Sequence, residues 1–167
     1  MPEAVPEPWL RGPIPDVHPL IQPAFFTFAH VREDLARHCA GLTHEQVWRT
    51  STVASLGFHL KHLAGSVDRL TTYLVGSQLS EEQLRAMKQE SHGGETADEL
   101  LQLVEEALAA SERRLRELNP ESLYDARAVG RKRLPTTVIG LLVHLSEHTQ
   151  RHLGQAVTTA KLVRDTG

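Results

Sequence analysis

The chain has 167 residues, enough for one domain of ordinary size with a buried core. Aromatics make up only 5% against 40% hydrophobic residues overall, so the core must come mainly from Leu, Val and Ala. That composition suits helix packing better than a β-sandwich. A formal net charge of -3 excludes the basic excess of a nucleic-acid-binding surface, and the single Cys39 excludes an intrachain disulfide or a thiolate metal cluster.

The stretch to about Asp16 carries five prolines and reads as an extended arm, pinned to the body by Trp9 and Leu10. The N-terminus has neither a basic nor an apolar leader segment. The first long helix is expected from Pro19 to His38, stopping near Gly41, with Pro19 in its first turn and Pro23 about one turn in. Cys39 beside it reads as a small buried apolar residue rather than a nucleophile. Thr43 and Gln46 form a capping box for a short helical turn through Trp48. The second long helix is expected over Ser51 to Val75, ending at Gly76. Its apolar residues Leu56, Leu60, Leu63, Val67, Leu70 and Leu74 recur at three and four.

Ser80 and Gln83 cap another short helix that ends before Gly93-Gly94. Thr96 and Glu99 open the third long helix, expected to reach Leu118 and stop at Asn119-Pro120. Its stripe is Leu100, Leu103, Val104, Ala107, Leu108, Leu115 and Leu118. A loop with Gly130 and the run Arg131-Lys132-Arg133 follows, and three basic residues without interleaved aromatics read as solvated. The fourth long helix is expected from Thr136 to Arg164. Its stripe runs Val138, Leu141, Leu142, Leu145, His148 or Thr149, His152, Ala156, Thr159 and Val163. The longest helical stretch free of charged residues, Leu134 to Ser146, is too short to span a bilayer. The expectation is an all-α, four-helix bundle in the cytoplasm, residues 17–167, behind an arm of residues 1–16.

Ten histidines are present, and their placement carries the chemistry. His148 and His152 lie one helical turn apart, on nearly the same side as Leu141 and Leu145. Two such rings can converge on one metal ion. His144, a turn earlier, falls nearer the edge of that face. A protease of the His-Glu-x-x-His kind is excluded, because Thr149 stands where the general-base Glu would follow the first His. The second helix offers His59 and His62 as a third imidazole, and a helical wheel puts His59 nearer the centre of the apolar stripe.

The segment His62-Leu63-Ala64-Gly65-Ser66, with His148-Thr149-Gln150-Arg151-His152-Leu153-Gly154-Gln155, resembles the DinB-like (YfiT) superfamily over nearly the whole chain. The resemblance implies a four-helix bundle, often a homodimer, holding one divalent metal ion per chain. Zn or Ni is the first expectation, with Fe or Mn as further options. It also implies that His62, rather than His59, joins His148 and His152 as a ligand. Related branches suggest a metal-dependent transferase or hydrolase acting on a small, thiol-containing or electrophilic molecule. The alternative is a non-catalytic metal-binding or stress-related bundle. No catalytic acid or base is identifiable: Glu147, Gln155, His30 and Asp34 read as either solvated or orienting an imidazole.

Overall fold

The computed structural model describes residues 5–50 and 53–165. Its long helices are α1 (Gln22–His38), α3 (Leu56–Leu74), α5 (Ala97–Arg116) and α6 (Val138–Asp165). Two short ones, α2 (His44–Trp48) and α4 (Glu81–Lys88), lie in the connections. The long helices close a ring in which α3 packs on α5 and α6, and α1 packs on α6 and α5. The core between them holds fully buried Phe28, Leu60, Leu63, Leu108 and Leu145. The all-α reading therefore holds. No helix among the described residues is long and apolar enough to cross a membrane.

All three capping boxes form. Thr43, Ser80 and Thr96 each accept the backbone N–H three residues on, while Gln46, Gln83 and Glu99 reach back to the cap N–H. Each box satisfies two donors that a helix start leaves open, so these boundaries fall where the residues place them.

Other boundaries move. α1 starts at Gln22 with Pro23 in its first turn, where the missing N–H costs nothing. α3 starts at Leu56 because Ser55 caps Phe58 N–H; of the expected start, Ser51 lies outside the described residues and 53–55 are not helical. α5 ends at Arg116, short of Leu118, and Leu103 of its stripe is exposed.

The expected loop around Gly130 is instead a hairpin, β1 (Ala126–Val129) paired antiparallel with β2 (Leu134–Thr137). Gly130 and Arg133 take positive φ to make its turn, with Arg131, Lys132 and Arg133 solvated at the tip. Consequently α6 begins at Val138 rather than Thr136.

The arm is not held by Trp9 and Leu10, which are more than half exposed (56% and 57%). The Trp9 indole instead donates to Glu7 nearby (2.6 Å). Buried Pro8 and the Arg11–Glu33 ion pair tie the arm to α1. Cys39 is fully buried, which pushes its thiol up to about 12 and makes it inert packing.

Candidate metal centre

The stripes that drive α3 and α6 together also set their rotation about their axes. On α6 the centre of the buried face is Thr149, fully buried, flanked by Leu145, Leu153 and Ala156. His148 and His152 sit on the shoulder of that face, half-buried, not at its centre. On α3 the opposite shoulder carries His62, also half-buried.

These shoulders meet. One ligand nitrogen from each of His62, His148 and His152 lies within 4.8 Å of the others, an arrangement that could hold a metal ion. Ring centroids are 4.3 Å apart for His62–His152 and 4.6 Å for His148–His152. His62 Nε2 and His148 Nε2 are 3.2 Å apart. His59 is nearly sealed in the core at 6% exposure and stays outside the cluster, its ring 6.1 Å from that of His152. The wheel therefore located the most buried histidine, and the cluster formed about 60° away, at the edge of the stripe.

Electrostatics keep His148 and His152 in the ligand form. Burial, and then the neighbouring His62, lower the pKa of His148. The same two causes, with His148 added, take His152 down to about 4. His59 is lowered too, mainly by burial. Neutral imidazole is the form that binds a cation.

One participant was missed in the sequence. Glu90, in the connection after α4, is buried, and its Oε2 accepts a hydrogen bond from His62 Nδ1–H at 2.7 Å. Its other oxygen accepts from Arg69 Nη1, also at 2.7 Å. Burial alone would raise the Glu90 pKa, but the hydrogen bonds from His62 and Arg69 outweigh it and hold Glu90 ionised. With the proton on Nδ1, a neutral His62 turns its Nε2 lone pair toward His148. No local pattern marks Glu90, which stands 28 residues from His62 between exposed neighbours in a connection.

The remaining candidates lie apart. Glu147 is on the surface, paired with His144 and Arg151. These contacts define a second, more exposed group of His144, Glu147 and His148. His30 packs against Gln150 across α1 and α6, and Asp34 faces Arg37. Gln155 lines an open cleft of about 710 Å³ beside the cluster, together with Phe58, His59, Arg151, His152 and Leu162.

The family model described as the DinB superfamily matches residues 27–156, a span containing every residue of this site. The chain belongs to the DinB superfamily. Among solved structures, this DinB-like chain is similar to one titled "Crystal structure of the conserved protein of locus from Enterococcus faecalis". The two share 23% identity and a TM-score of 0.62, over 86% of this chain and 96% of the other, a likeness of fold. No curated protein matches the sequence.

Proposed function

We propose that this DinB-like bundle is a metal-dependent enzyme whose ion is held by His62, His148 and His152. It is a transferase or hydrolase for a small molecule that is thiol-containing or electrophilic. The observation that carries the reading is the convergence of three half-buried imidazoles from two helices beside an open cleft.

The donor set fits a divalent ion. Metal–imidazole bonds are about 2.0–2.1 Å, so two nitrogens on one ion stand roughly 3.0–3.4 Å apart. The 3.2 Å between His62 Nε2 and His148 Nε2 falls in that range. Three imidazoles suit Zn, Ni, Cu or Fe, and leave open positions on the ion. A divalent ion with an open position lowers the pKa of bound water or thiol, yielding an anionic nucleophile near neutral pH.

The protein's own residues supply the rest. Phe58 stacks on His62 at 5.5 Å between ring centroids and restricts the ring from one side. The cleft walls, Val53, Ala54, Phe58 and Leu162, suit the apolar part of a substrate, with His59, Gln155 and Arg151 as its polar groups. Such a cleft reaching His152 favours turnover over the alternative of a sealed, non-catalytic metal-binding bundle.

Metal content of untagged protein, measured by mass spectrometry, tests the reading. About one ion per chain is expected, lost in His62→Ala and His148→Ala and kept in His59→Ala. Turnover in a screen of thiols with electrophilic acceptors should disappear with His152→Ala. Wild-type protein that neither contains nor takes up Zn or Ni would overturn the assignment.

A further inference from the structure

The side of His62 that faces away from the other two histidines is organised around a buried charge. A carboxylate at 7% exposure loses most of its hydration, which is unfavourable unless it is fully paired. Glu90 meets that condition with His62 and with Arg69, itself buried and two turns further along α3. Gly65 lies between His62 and Arg69 on the same helix. A Cβ there would fall 2.6 Å from Arg69 Nη1 and 2.8 Å from Glu90 Oε1. The bare glycine lets the arginine reach the carboxylate, and a methyl there would displace the ends of both side chains.

The connection that carries Glu90 is tied down on its outer side as well. Lys61 Nζ donates to His92 O at 3.0 Å and to Glu95 Oε1 at 2.7 Å. Trp48 Nε1 donates to Glu95 O at 2.8 Å, and its ring packs closely against Gly57 and Gly93. An ion pair buried for stability alone is a poor bargain, since apolar replacements often serve as well or better. The placement has a different rationale if its object is the imidazole. A carboxylate on the distal N–H fixes the tautomer and orientation of a metal-binding histidine and raises its basicity.

We propose that Glu90 is a positioning residue that sets how tightly His62 holds the ion, with Arg69 and the bare flank of Gly65 holding Glu90 in place. The proposal rests on the metal-site reading above.

Zinc affinity by chelator competition, with circular dichroism to verify folding, tests it in wild type, Glu90→Gln, Gly65→Ala and Arg32→Met. Glu90→Gln should bind about 10–100-fold more weakly. Gly65→Ala should weaken binding in the same direction, because its methyl displaces only the far ends of two side chains. Arg32→Met, which removes an arginine on another face, should stay within about twofold of wild type by the same reasoning. The visible spectrum of the cobalt-loaded protein should shift in Glu90→Gln and not in Arg32→Met. If Glu90→Gln fails to fold, Gly65→Ala decides. Wild type that binds zinc with both site variants within twofold overturns the role of Glu90 and leaves the metal site standing. Wild type that binds no zinc overturns the site. It also overturns the effect of Glu90 on affinity, and only its positioning of the ring is then read, from long-range ¹⁵N–¹H correlations of His62 in metal-free protein: a proton on Nδ1 upholds that positioning, a proton on Nε2 overturns it.

Discussion

The arginine–carboxylate clusters centred on Arg32 and on Arg69 differ in what surrounds them. Arg32 on α1 forks between Glu105 and Glu112 on α5, with Nε–Oε2 at 2.7 Å and Nη1–Oε1 at 2.6 Å. Its side chain is 32% exposed, so this cluster keeps more of its hydration than the other. Arg69 and Glu90 make a single contact at 2.7 Å, with side-chain exposures of 11% and 9%. The open cluster has more hydrogen bonds; the buried one has the histidine. Number of contacts therefore does not rank the two. Desolvation does, because removing the arginine leaves a buried carboxylate oxygen with no cation and little water to replace it.

The largest effect that would break this comparison belongs to Arg69. Arg69→Met should cost about 3–5 kcal/mol in the metal-free protein, read from urea denaturation, since it leaves a buried carboxylate with only His62 as partner. A loss below about 1 kcal/mol would put the two clusters on an equal footing.

An intermediate effect should appear as a pH dependence on the histidine side of the buried cluster. Unfolded imidazoles take up a proton near pH 6.5, whereas His152 in the folded chain does so only at about 4. Between those values the unfolded state binds more protons, so metal-free stability falls as the pH is lowered from about 6.5 to 4. Thermal denaturation of wild type against His152→Gln isolates this contribution. The wild-type melting temperature should drop more steeply through that window, and parallel curves would refute the assignment.

The smallest effect is expected at the open cluster. Arg32→Met should cost about 1 kcal/mol or less, and the difference should shrink in 1 M salt. A salt-insensitive loss would mean that the fork contributes through packing rather than charge.

Much of the fold was readable because the interactions that make it are local. A capping box spans four residues, and Thr43–Gln46, Ser80–Gln83 and Thr96–Glu99 all close as spaced. The Leu60, Leu63 and Val67 stripe is buried for the same reason, since three- and four-residue recurrence is a property of one helix. The hairpin of β1 and β2 was not readable: two four-residue strands, the second with Pro135 in it, are too short to show a sustained alternation. Trp9 followed the general tendency of tryptophan toward burial and was misplaced, because its indole finds Glu7 instead.

At the site, the sequence by itself determined that His148 and His152 share one face of the last long helix, one turn apart. Helical periodicity guarantees that for any residues so spaced. It also marked both His59 and His62, and the resemblance of the His-Leu-Ala segment pointed to His62. Only the tertiary structure decided which ring meets the other two, because that depends on how far α3 and α6 rotate when their stripes interlock. The most buried position of a stripe is where packing is densest, and it went to His59 and Thr149. The cluster formed on the shoulders, where a polar ring keeps access to a cleft. Glu90 belongs wholly to the tertiary structure: a carboxylate 28 residues from its imidazole acquires a role only when a connection folds back over the bare flank of Gly65.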